Sequence, residues 1–171
     1  SHGWDGKTLT KAGEGTLILS SQNTYTGVTD IRGGNVRMNS NSALGQTSEI
    51  RLAADTMLDM NGHSQTAGKL NSAAGSILTL AGGGLSAGTL IGSGSLNISG
   101  GVFDITGATR ALNATTTIAE KAMVKVLNTD GLGAGSVNTA GTLILGKADA
   151  PVMLANSQVT ISQQGTLSGS G

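Results

Sequence analysis

A glycine-led unit, Gly followed by a small polar residue and then Leu, Ile or Val, recurs along this chain at a nearly fixed interval. Gly-Thr-Leu stands at Gly15-Thr16-Leu17, Gly88-Thr89-Leu90, Gly141-Thr142-Leu143 and Gly165-Thr166-Leu167. Looser copies are Gly34-Asn35-Val36, Gly75-Ser76-Ile77, Gly94-Ser95-Leu96 and Gly135-Ser136-Val137. Short and long intervals alternate along Gly15, Gly34, Gly75, Gly94 and Gly135, and the long ones are about twice the short. Each longer gap reads as two turns with a degenerate middle copy, near Asp55-Thr56-Met57 and Thr115-Thr116-Thr117. A period of about 20 residues is the mark of a solenoid, in which each repeat covers the apolar face of the next.

Between the glycines the residues alternate with period two, as half-buried strands do. Thr16-Leu17-Ile18-Leu19-Ser20, Glu49-Ile50-Arg51-Leu52, Ile77-Leu78-Thr79-Leu80 and Val102-Phe103-Asp104-Ile105-Thr106 set Leu, Ile or Val on one face. Thr, Ser, Asn or a charge takes the other. One stretch is rich in helix formers, Ala119-Glu120-Lys121-Ala122-Met123, and its place between β-branched runs reads as strand or loop.

Composition decides what such strands can bury. Of 171 residues, 28 are Gly, one is Pro and three are aromatic (Trp4, Tyr25 and Phe103), which leaves little for a broad core. Only 12% are charged, and Val, Ile, Leu and Thr recur throughout, which is equally unlike a disordered chain. An all-β parallel β-helix meets both constraints. Its turns stack at about 4.8 Å through parallel ladders, and narrow columns of small aliphatic side chains fill it. Glycine suits its corners because it reaches positive φ without steric cost. Scarce proline suits continuous ladders, with Pro151 expected at a corner. At about 20 residues per turn the chain predicts about eight to nine turns and a rod on the order of 40 Å. The alternative, a sandwich or barrel, needs hairpin dipeptides between matched runs. Asp5-Gly6, Asn61-Gly62 and Asp130-Gly131 are candidates, and only Asn61-Gly62 directly follows a clear alternating run.

Lys plus Arg and Asp plus Glu both number 10, so the chain lacks the basic footprint of a nucleic-acid binder. No apolar run reaches the roughly 18 residues of a membrane-spanning helix. The absence of cysteine fits either a reducing compartment or an export route that a premature disulfide would obstruct. Ser1-His2-Gly3 reads as a cloning remnant, which leaves residues 4–171 as one β-helical segment.

The stretch Leu9-Thr10-Lys11-Ala12-Gly13-Glu14-Gly15-Thr16-Leu17-Ile18-Leu19-Ser20 continues through Asn23-Thr24-Tyr25-Thr26-Gly27 to Ile31-Arg32-Gly33-Gly34. It closely resembles the passenger-associated transport repeat of type V autotransporters, here at residues 9–34. Val28 stands where many members carry a second glycine. The resemblance implies a right-handed parallel β-helix within a longer secreted passenger. It also implies a signal peptide, passage through the periplasm, and export through the protein's own C-terminal outer-membrane β-barrel, which is the expected partner. Display at the bacterial cell surface or release outside the cell follows. Passengers of this group include adhesins, self-aggregating proteins and virulence factors, and the repeat is associated with passenger folding and secretion. A stalk that supports folding is therefore the first expectation. Host surface ligands or a second copy are the partners of an alternative adhesive role, and a polysaccharide-degrading β-helix enzyme is a more distant one.

An enzyme of that kind needs clustered carboxylates, and the ten acids here are scattered. The best constellation is Asp30 and Glu49, with Asp55 nearby, while Arg32 and Arg51 share the spacing of the first two. It reads as a solvated charge ladder on an outer face, worth a few tenths of a kcal/mol per pair. His63, after Asn61-Gly62, reads as a turn residue. Gly82-Gly83-Gly84 lacks the Lys-Ser/Thr of a P-loop and reads as a corner. No catalytic set, metal site or cofactor is expected. Trp4, ahead of the transport repeat, and Tyr25, within it, read as a cap over the first rung or as an aromatic binding patch, with the cap favoured because a solenoid end must be shielded. Phe103 is expected in a core column or stacked just outside it.

Overall fold

The computed structural model describes residues 7–107, 112–128, 131–146, 154 and 158–169. Within them the strands run β1 (Leu9–Lys11), β2 (Thr16–Leu19), β3 (Val28–Ile31), β4 (Asn35–Met38), β5 (Glu49–Leu52), β6 (Met57–Asp59), β7 (Ser64–Ser72) and β8 (Ser76–Thr79). They continue as β9 (Gly84–Ser99), β10 (Gly101–Ile105), β11 (Leu112–Ile118), β12 (Ala122–Val126), β13 (Val137–Thr139), β14 (Thr142–Leu145), β15 (Val159–Ile161) and β16 (Thr166–Gly169). Every strand pair among the described residues is parallel. A hairpin-built sandwich is thereby excluded, and the chain is a parallel β-helix.

Three faces wind around the core. The first is built from β1, β3, β5 and residues 69–72 and 89–92. The second holds β2, β4, β6, β8, residues 96–99, β11, β13 and β15. The third holds residues 64–67 and 84–87, then β10, β12, β14 and β16. Period-two alternation turns one residue in two inward, and the parallel register stacks these into columns. On the second face the column reads Leu17, Val36, Leu58, Leu78, Ile98, Ile118, Thr139 and Ile161. On the third it reads Gln65, Leu85, Phe103, Val124, Leu143 and Leu167. Phe103 is thus a column residue with no exposed surface. Burying each such Leu, Ile, Val or Phe contributes about 1.5–3 kcal/mol, and repetition of that term replaces a broad core.

Eight rungs in the second-face column make seven turns, slightly fewer than the eight to nine expected. The step between partners is not constant. It is short where Gly84 pairs with Val102 and longer where Thr142 pairs with Thr166, because corners of different length feed the same ladder. The Ala119–Met123 stretch resolves into a bend at Glu120 and Lys121 followed by β12.

Glycine serves the corners in two ways. At Asn61-Gly62 both residues are left-handed, with φ of 48° and 80°, and the dipeptide bends the chain from β6 into β7 instead of closing a hairpin. At Gly68 and Gly88 the constraint is contact with the rung below. A Cβ on Gly68 would lie 2.4 Å from the Ser48 carbonyl oxygen, and one on Gly88 2.6 Å from that of Gly68. These positions let β7 and β9 bend from the third face to the first while adjacent backbones touch.

The last described rung carries apolar side chains. Ile161 and Leu167 are 42% and 45% exposed, whereas their partners one rung earlier, Thr139 and Leu143, are 2% and 0% exposed.

Candidate functional site

Among the described residues, the transport-repeat region buries the polar side chains of Lys11 and Thr29 beside Tyr25. On β1, alternation turns Lys11 inward, above Ile31 in its column, and the side chain is buried. Its ammonium donates to the carbonyls of Ala12 (2.8 Å), Gly13 (2.6 Å) and, one turn on, Gly33 (3.2 Å). A charge costs least in an interior when its donors are satisfied, and the carbonyls of the first two corners satisfy them here. The aliphatic stem lies along the core while the head caps the corner.

Tyr25 lies in the same repeat. It is 4% exposed, and its hydroxyl meets Thr29 Oγ1 at 2.7 Å, which in turn meets Thr47 Oγ1 at 2.9 Å. Thr47 donates to the Gly27 carbonyl at 2.8 Å. The ring therefore packs within the first turns and presents no face to a ligand. Trp4, the other aromatic of the expected cap or patch, lies outside the described residues. Burial pushes the Tyr25 phenol up to about 12, partly offset by the Thr29 hydrogen bond. A folded value above the unfolded value of about 10 contributes stability that is complete below pH ~10 and lost as pH rises through ~12. Because Tyr25 is the only tyrosine, its phenolate absorbance should appear only as the fold melts in that window. Titration near pH 10 with the fold intact would contradict the burial.

Gln65, first in the third-face column, locks the loop beneath it. Its Oε1 accepts from Leu44 N (2.9 Å), and its Nε2 donates to the carbonyls of Gly45 (2.9 Å) and Thr66 (2.8 Å). The amide is buried and well satisfied, and sequence reasoning missed it. A Gln at an inward strand position was the available signal. At the next corner Asn61 Nδ2 donates to Asn39 Oδ1 (2.9 Å), an asparagine pair stacked one turn apart.

The charged residues lie on the outer side of the first face, but the register differs from the spacing read in the sequence. The step there is two positions longer than the separation of Asp30 and Glu49. Asp30 therefore lies opposite Arg51, and Glu49 lies opposite Val28 on one side and Lys69 on the other. On this face the ion pairs run along the chain instead. Arg32 Nε meets Asp30 Oδ2 at 2.8 Å, and Arg51 Nε pairs with Glu49 Oε2. Both arginines are more than half exposed, which limits each pair to at most about 1 kcal/mol. Asp55 sits on an exposed corner.

On the outer side of the third face, Ser42, Ser64, Thr66, Ser86, Val102 and Asp104 line a cleft of about 260 Å³. It offers hydroxyls and one carboxylate. In register Asp104 faces Ser86 and Lys125, so no second acid completes the pair that glycosidic chemistry requires. Among the described residues no three His, Cys, Asp or Glu side chains converge on a metal position.

Comparison with known proteins agrees with this architecture. The family model of the passenger-associated transport repeat matches residues 9–38. Over 136 residues the chain is 58% identical to the uncharacterized protein YuaQ of Escherichia coli (strain K12), covering 75% of this chain and 10% of that protein. It is 36% identical over 149 residues to the uncharacterized lipoprotein YdeK of the same strain, covering 78% of this chain and 11% of that one. It is 33% identical over 144 residues to the adhesin BmaC autotransporter of Brucella suis biovar 1 (strain 1330), covering 80% and 4% respectively. The chain thus spans a tenth or less of the length of YuaQ and BmaC, and about as much of YdeK. With a transport repeat at its start and parallel turns stacked along its length, the chain is a β-helical segment of a type V autotransporter passenger.

Proposed function

We propose that this segment is a non-catalytic stalk in a surface-exposed passenger, tethered by the parent protein's C-terminal outer-membrane β-barrel. The observation that carries the reading is the apolar column that runs unbroken from Leu17 to Ile118. It stiffens the rod while the described outer faces offer scattered charges, some of them paired. A rigid spacer needs axial continuity and nothing more from its surface. The test is display of the segment on cells, fused to an outer-membrane barrel. Such cells should settle no faster than cells showing the barrel alone. Deleting one whole turn should draw a distal epitope about 4.8 Å closer to the membrane with the amount displayed unchanged. A fall in the amount displayed would assign the segment to secretion and folding rather than reach.

The cleft beside Asp104 favours a second reading, direct adhesion or self-association. Rapid clumping of the displaying cells, abolished by Asp104→Lys, would establish it in place of the stalk.

A further inference from the structure

Asn61-Gly62 is the single Asn-Gly dipeptide of the sequence. Such a pair is unusually open to spontaneous deamidation, because glycine has no side chain to obstruct its own backbone nitrogen. In that reaction the Gly62 nitrogen attacks Asn61 Cγ, a C–N bond forms, and the Cγ–Nδ2 bond breaks. Ammonia leaves, carrying the proton that Gly62 gives up. Water then opens the cyclic imide at either carbonyl and leaves aspartate or isoaspartate in place of Asn61.

Burial does not protect the pair. Asn61 is half-buried and Gly62 is exposed, so water reaches the dipeptide. Protection lies in direction. The two residues form the centre of a tight turn with positive φ at both, closed by His63 N donating to Met60 O at 2.9 Å. The side-chain amide is tied to the rung before. Its Oδ1 accepts from Arg37 at 3.1 Å, and its Nδ2 donates to Asn39 Oδ1 at 2.9 Å. The attacking nitrogen is tied to the rung after, where Gly62 N–H donates to the Leu80 carbonyl at 3.2 Å. Nucleophile and electrophile are drawn in opposite directions along the axis. Arg37 would favour negative charge building on Oδ1, yet it has no attack to assist while the turn is closed.

The isoaspartyl product does not fit this turn. It carries the main chain through Cβ and Cγ, which adds one carbon to the path between Met60 and His63. The turn bond spans that path, and the backbone on both sides is pinned to the next rung by Met60 N to Thr79 O (2.8 Å) and Gly84 N to His63 O (3.2 Å). Little slack is left, since a Cβ added to Gly62 would lie 3.3 Å from Ala81 O.

We propose that Asn61-Gly62 is a covalent modification site held shut by the rungs on either side and open only in the unfolded chain, with its isoaspartyl product excluded from the fold. A chain that lingers unfolded is thereby marked, and one that winds promptly is not.

Mass spectrometry of the peptide containing residue 61 tests this on the full chain at neutral pH, folded in buffer or unfolded in guanidinium chloride. The folded chain should deamidate at least about tenfold more slowly, because reaction waits on opening of the turn. Equal rates overturn the proposal. The double variant Arg37→Ala with Asn39→Ala releases the side-chain amide. Folded, as judged by circular dichroism, it should deamidate about threefold faster or more than the parent chain, and an unchanged rate overturns the hold. Finally, chain aged in guanidinium chloride is returned to buffer and treated briefly with protease. Isoaspartate should collect in the digested fraction, and equal shares in digested and resistant chain overturn the exclusion.

Discussion

Gly68→Ala should lower the stability of the solenoid by about 3 kcal/mol, the upper part of the usual range for overpacking, while Gly15→Ala should raise it by about 0.4–1 kcal/mol. A methyl group at residue 68 would stand 2.4 Å from the Ser48 carbonyl oxygen, whereas at residue 15 nothing lies within 4 Å. The clash involves backbone on both sides. Relief requires parting two rungs of a parallel ladder, which a rotamer change cannot do. At Gly15 the φ angle is ordinary and the space is open, so alanine acts mainly by narrowing the unfolded ensemble. Urea unfolding followed by far-ultraviolet circular dichroism measures both. Similar midpoints for the two variants would show that the rungs have slack at this corner.

Phe103→Ala should cost about 3–5 kcal/mol. Among the described residues Phe103 is the largest fully buried side chain, and it lies between Leu85 and Val124 in its column. In a globular core, side chains from several directions can close part of such a gap. Here the neighbours are fixed at ladder spacing above and below, so the cavity stays open and the lost contacts are not recovered. Phe103→Leu, which keeps most of the volume, should cost about 1.5 kcal/mol or less. Equilibrium unfolding in urea would distinguish them. A loss below about 1 kcal/mol for Phe103→Ala would mean that the column collapses inward.

The strands, corners and transport repeat are legible in the sequence because each is a local pattern. Glu49-Ile50-Arg51-Leu52 shows its face by alternation, and Asn61-Gly62 shows its bend by chemistry. Register is not legible. It depends on how much chain each corner absorbs, and a shift of two positions is enough to place Asp30 opposite Arg51 instead of Glu49. The inward turn of Lys11 illustrates another limit. A lysine reads as an outward residue until the carbonyls of Ala12, Gly13 and Gly33 are seen to gather around its head. Gly68 and Gly88 show a third. Glycine in a sequence advertises conformational freedom, yet these two are required by a neighbour one full turn away.

The unequal steps, lean from Gly84 to Val102 and generous from Thr142 to Thr166, have a bearing on how molecules of this kind vary in length. Extra residues at a corner swell the girth of one storey and leave the storey height untouched, because height is fixed by the spacing of hydrogen-bonded strands. Eight rungs stand about 34 Å tall whatever the size of their corners. Loops can therefore be remodelled, and a surface decorated, without moving anything carried above. Only insertion or loss of a whole storey alters how far from the cell such a column holds its tip.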